Sequence, residues 1–282
     1  TDITEPATII AGLQAGDIDL AQSRLDPEAL KSLEAGGKTV VASPARLFFY
    51  HFDPERACRK EWVTCDPRVR LALTLAIDGE TYSETIWQGL ATALRVPAMP
   101  GTTGDRPDLP FPYDPDRAKK LLDEAGFPVK ADGTRFTLDM KGWAAGPADL
   151  QSQAIQADLA KIGVKAEYQL MEFGSYLQVL LNPEQHTHLM QILGSNTFSN
   201  NYANLVQWCS AAEDFPQSLY KNEEVWALND EFLATTDSVE QNRILGRIFE
   251  IMTWEDPCYM FANEVPETWV TLALFCRGAC LG

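Results

Sequence analysis

The apolar positions of this 282-residue chain fall into two rhythms, one helical and one strand-like, separated by regular punctuation. Asp26-Pro27, Asp66-Pro67 and Asp114-Pro115 each set an N-cap acceptor before a proline suited to a first helical turn. Helically spaced apolar residues follow each pair: Leu30 and Leu33; Val69, Leu71, Leu73 and Ala76; Ala118, Leu121, Leu122 and Ala125. Gly36 and Gly126 stand where C′ glycines end the first and third runs. The same spacing predicts helices over 80–87, 148–162, 174–181, 223–235 and 239–254, the last opened by Ser238 with Gln241 in a capping-box relation.

Short strand-like runs lie between them, at 17–20, 39–43, 47–52, 136–140, 164–171, 189–193 and 258–261. On 47–52, a period of two sets Phe48, Tyr50 and Phe52 on one face and Leu47, Phe49 and His51 on the other. Helices and strands alternate, which predicts an α/β or mixed α+β fold. The proline-rich stretch 94–113 is a long loop, either functional or a structural strap.

Composition narrows the function. There are 23 basic and 40 acidic residues, a net charge of −17, which excludes a phosphate-backbone binder and so nucleic acid as partner. No apolar run reaches the roughly 18–20 residues of a membrane span. Six cysteines form no C-x-x-C pair; Cys58 and Cys65 bracket a short polar loop that suits a local bridge in an exported protein. His186 and His188 have metal-compatible spacing but lack a third ligand, so no metal and no cofactor is expected. Asp17 and Asp19 would share a strand face, a weak acid/base arrangement. No nucleophile elbow, P-loop, H-E-x-x-H or dinucleotide fingerprint occurs, and no enzyme is expected. The first residues show no charged and apolar pattern of a secretory leader, and a chain opening at Thr1 reads as a processed product or, preferably, an excised fragment.

Two motifs carry a family resemblance. The stretch from Asp66 to Asp78, DPRVRLALTLAID, resembles the D-x-x-V-R-x-A-L-x-x-A-I-D helix of periplasmic oligopeptide- and dipeptide-binding proteins, the extracellular solute-binding family 5 of ABC importers. Tyr113 to Phe127, YDPDRAKKLLDEAGF, is similar to that family's Y-D-P-x-x-A-K-x-L-L-x-E-A-G signature. Ala15–Leu20, Ile155–Val164 and Asp237–Ile248 extend the likeness over most of the chain.

The resemblance implies a periplasmic-binding-protein type II-like clamshell, the second lobe complete and the first partial. On it, 1–52 is a first-lobe remnant and hinge crossing, 53–262 the ligand-grasping second lobe, and 263–282 the return. It implies capture of a peptide or similar small polar solute, delivery to ABC permease subunits, and a periplasmic or extracellular place, with a lipid anchor on a full-length precursor. In peptide-binding members an aspartate of a W-x-x-D segment pairs with the ligand's α-ammonium; Asn196 stands at that place here. The candidate ligand residues are Trp143, Asn196, Phe198, Asn200 and Tyr50. The alternatives are a sensor fragment that assembles with another chain supplying the missing lobe, and an enzyme on the same scaffold.

Overall fold

The computed structural model describes residue 3 and residues 5–23, 25–143, 146–195, 209 and 219–272. Its helices start where aspartates can cap them. After α1 (Pro6–Ala15), Asp26 accepts the Ala29 N–H at 2.8 Å and opens α2 (Pro27–Ala35). α3 (Pro54–Arg59) follows Asp53, whose carboxylate caps nothing and turns inward. Asp66 accepts from Arg68 (2.8 Å) at α4 (Pro67–Leu75), Asp78 from Thr81 (3.0 Å) at α5 (Gly79–Thr85), and Asp114 from Arg117 (2.9 Å) at α6 (Pro115–Glu124). α7 (Pro147–Lys161) and α8 (Phe173–Leu180) precede α9 (Glu223–Ala234) and α10 (Ser238–Glu250). Asp237, not Ser238, caps α10, accepting from Val239 and Glu240, while Gln241 donates to the Thr235 carbonyl. The left-handed glycine after α2 is Gly37 rather than Gly36, with φ at +84°.

The strands are β1 (Leu20–Ser23), β2 (Lys38–His51), β3 (Thr92–Ala93), β4 (Phe136–Trp143), β5 (Val164–Met171), β6 (Leu189–Ser195) and β7 (Tyr259–Leu272). They form one sheet in the order β1-β7-β2-β6-β4-β5, with β3 also on β7. β4 runs parallel to β5 and β6; the other pairings are antiparallel. The expected strand at 17–20 begins later, because Asp17 and Ile18 donate to the Gly12 carbonyl and close α1. Asp17 and Asp19 therefore share no strand face.

The runs 39–43 and 47–52 are one strand, and the run from 258 continues to Leu272. Within them Pro44 pairs with Pro266, so the two residues without N–H groups face one another, and the register slips between Pro44 and Arg46.

β2 and β7 carry the chain between two hydrophobic clusters. The larger spans the helices and strands from Leu47 to Val265; the smaller holds Ile9, Leu13, Leu25, Leu30, Leu33 and Val270. The loop 94–113 is a strap: Val96 and Ala98 are buried, and Arg106 bonds Glu250 at 2.7 Å. Gly104, at φ +89°, lies so close to Leu245 and Phe249 that a Cβ would come within 2.8 Å of the Leu245 branch and of the Phe249 ring. The mixed α/β expectation holds.

Two disulfides are described. Cys58–Cys65 is the local bridge expected; Cys209–Cys258 joins residues 49 apart and had no signal in the spacing. Thiol titration of oxidised, denatured protein should therefore count no more than two free thiols. Three or more would remove one bridge.

Candidate ligand-binding site

The carboxyl ends of β4, β5 and β6 point the same way, towards the stretch where β2 and β7 cross between the clusters. In sheets with parallel strands this end is where crossovers leave a crevice. Trp143 is the last residue of β4. Its ring lies 5.0 Å from Tyr176 and 5.7 Å from Phe173, both on α8. The Trp143 side chain is almost wholly covered, and its indole N–H has no partner among the described residues. Phe173 is 52% exposed and Leu170, near the end of β5, 50%. The three rings form an aromatic wall with one open margin.

Next to the wall, the chain turns into α7 through Gly146, at φ +65°, and no side chain caps the helix there. α8 differs, since Glu172 accepts the Ser175 N–H at 3.0 Å. On the crossing strands, Arg46 forks onto Glu267, Nε to Oε2 at 3.1 Å and Nη2 to Oε1 at 2.8 Å, and Gln22 also donates to Glu267. This half-buried pair ties the two strands across the Pro44–Pro266 step.

Tyr50 does not stand on that margin. Both faces of 47–52 are buried, and the Tyr50 hydroxyl donates to Ser152 Oγ (2.8 Å) beneath α7, with Ser152 in turn donating to the Ala148 carbonyl. Burial pushes the Tyr50 phenol well above its ordinary range. Tyr50, expected as a ligand contact, is therefore not one, because α7 covers the face of β2 on which it stands. Asn196, Phe198 and Asn200 lie outside the described residues. Phe173, Leu170, Arg46 and Glu267 had not been singled out, since an apolar helix residue and a scattered ion pair give no motif.

A second polar group lies at the other end of the large cluster. Asp53, held at φ +52°, accepts from Arg56 Nη1 (2.5 Å) and the Leu219 N–H (2.9 Å), and faces His186 Nδ1 at 3.3 Å. His186 Nε2 reaches the Leu180 carbonyl at 2.9 Å. Burial works against the Asp53 carboxylate, but His186, Arg56 and the Leu219 amide together hold it below the usual carboxylate range. His51 packs edge-on to His186, ring centres 5.6 Å apart, with neither nitrogen hydrogen-bonded among the described residues. Burial first, then the neighbouring His186, lower its pKa to about 3. His188 belongs to a different place, under Trp62 and beside Asp139, so the H-x-H pair points into two networks. Among the described residues no three metal-ligating side chains converge, and no helix is long and apolar enough to cross a membrane.

An open mixed sheet whose two longest strands bridge two cores is the fold of type II periplasmic binding proteins. It matches the periplasmic binding protein DppA from Helicobacter pylori in complex with peptide STSA (TM-score 0.80, 22% identity, 96% of this chain and 52% of that one). It matches equally a mannohexaose-bound periplasmic oligopeptide-binding protein from Thermotoga maritima (TM-score 0.80, 21% identity, 96% and 55%). The description "bacterial extracellular solute-binding proteins, family 5, middle" fits residues 1–214, and the chain belongs to that family. Among its relatives, heme-binding protein A of Haemophilus influenzae is 27% identical over 93% of this chain and 48% of its own length. The dipeptide-binding protein of Escherichia coli is 33% identical over 52% of this chain and 28% of its own length. The chain thus spans about half the length of heme-binding protein A, and less of the dipeptide-binding protein.

Proposed function

We propose that this chain forms the solute-grasping part of a binding protein that captures a peptide or similar small polar solute between two lobes and hands it to an ABC permease, in the periplasm or outside the cell. Family membership supports the binding role, and the aromatic wall at the carboxyl ends of β4 and β5 is the observation that carries the place of capture. A solute lying there would meet Trp143 and Phe173, beside the start of α7, which no side chain among the described residues caps. The reading is one of binding and not of catalysis, in keeping with relatives whose names are those of binding proteins.

The outer edge of β1 has no strand partner among the described residues, and Leu20 beside it is 62% exposed over a cavity of about 730 Å³. This edge suits attachment of further polypeptide completing the smaller lobe. Selectivity is the finer question. With Asn196 in place of an aspartate, a free α-ammonium loses a charge-assisted hydrogen bond worth about 1.5–3 kcal/mol. Calorimetry with Met-Leu, Ser-Thr-Ser-Ala and mannohexaose tests both points. Trp143→Ala should weaken whichever probe binds by about tenfold or more, and Asn196→Asp should strengthen only the peptides, by about tenfold to a hundredfold. Unchanged affinity in Trp143→Ala would remove the wall from the site.

A further inference from the structure

Gln191 sits in the middle of β6, fully buried, although β6 is otherwise apolar around it. Its side chain does not stay over its own strand. It crosses β4 at Gly142, where a Cβ would come within 1.8 Å of Gln191 Oε1 and 2.8 Å of the Tyr168 hydroxyl. Glycine is required there because the amide occupies the space of the missing side chain. Beyond Gly142, the Tyr168 hydroxyl on β5 donates to Gln191 Oε1 at 3.4 Å, so the amide straps β6, β4 and β5 together on the α7 side of the sheet. On the opposite side, the Tyr176 hydroxyl donates to the Gln191 backbone carbonyl, and the Tyr176 ring packs 5.0 Å from Trp143. One residue therefore grips the end of β4 from both sides, directly before the tryptophan.

We infer that Gln191 is a positioning residue for solute capture: through Gly142 on one side and Tyr176 on the other, it fixes the aim of Trp143. This rests on the reading of the aromatic wall as the capture site. The Nε2 of Gln191, without a partner among the described residues, sharpens the argument, since a buried amide left half-satisfied is costly to keep for packing alone. A shape constraint on β4 gives that amide a reason to be there.

The test separates the geometry from the binding. Protein labelled with 5-fluorotryptophan is followed by fluorine NMR, the Trp143 resonance being assigned by its loss in Trp143→Phe. Gly142→Ala should displace the amide and shift or broaden that resonance. In Gly142→Ala/Gln191→Ala the methyl takes the space the amide vacates, and the resonance should move back towards the parent position. Shifts that simply add in the double variant, or a Trp143 signal indifferent to both changes, would overturn the inference. Should Gly142→Ala not fold, Gln191→Asn, whose shorter side chain withdraws from Gly142, must move the same resonance; a fixed signal there overturns it equally. In the calorimetric arm, the probe that the parent binds should lose about tenfold in Gly142→Ala and recover in the double variant. A parent that binds no probe counts against the capture site, while the fluorine signal still decides what Gln191 positions.

Discussion

Replacing Cys209 and Cys258 together by alanine should lower unfolding stability by about 4 kcal/mol, against about 2 kcal/mol for the Cys58/Cys65 pair. The difference comes from loop length: one bridge closes 49 residues and the other 7, and the entropy removed from the unfolded chain grows with the logarithm of that number. The bonds also differ in surroundings, as Cys258 is fully buried just before β7, where its carbonyl accepts the Phe52 N–H, while Cys58 is exposed. Urea unfolding of the two double variants, read against the oxidised parent, checks the order. Equal losses, or a larger loss from the short bridge, would contradict it.

Acid should unfold the parent sooner than a His51→Phe variant. His51 is neutral in the folded protein, with its pKa lowered to about 3 by burial and by His186, while in the unfolded chain it titrates near its ordinary 6.5. Asp53 favours its protonation and Arg56 opposes it, but burial outweighs both. A depressed histidine pKa means that the unfolded chain binds the proton first. The stability this group contributes is then complete above pH 6.5 and is lost as the pH falls from there towards 3. The loss approaches about 1.4 kcal/mol per pH unit. Phenylalanine keeps the ring and removes the titration. Unfolding free energies of parent and variant, measured at pH 7.5, 6.5, 5.5 and 4.5, should hold a constant difference over the first step and converge or cross below it. Parallel curves would show that His51 is not the group responsible.

Much of the fold was legible because its punctuation is local. An aspartate before a proline states its own helix start, and Asp26, Asp66 and Asp114 cap as their positions predict. Asp53-Pro54 has the same spelling, but its carboxylate is taken by Arg56, three residues on, and by the Leu219 N–H, a contact too distant in sequence for any local rule to see. The runs 39–43 and 47–52 read as separate for a related reason: their joining through Pro44 depends on its pairing with Pro266, far away in sequence. Of the candidate site, Trp143 could be picked out from its glycine neighbours at the end of a strand. Tyr50 could not be placed, since strand periodicity gives two faces and says nothing about a sheet covered on both. Gln191 was invisible for the opposite reason: a single glutamine in an apolar strand carries no pattern, and its role exists only through Gly142.

The facing prolines also bear on how force passes through the molecule. Along the ribbon of β2 and β7, hydrogen-bonded rungs resist shear on either side of one step to which neither strand can contribute an N–H. A twist applied to one core will concentrate at that step, where no rung has to break, and the neighbouring rungs keep their register. The Arg46–Glu267 fork spans the same place with long, jointed side chains that can follow such a rotation while staying in contact. The ribbon is thereby stiff in tension and compliant in torsion, like a strap with a swivel let into it, and the position of the swivel is written in two residues 222 apart.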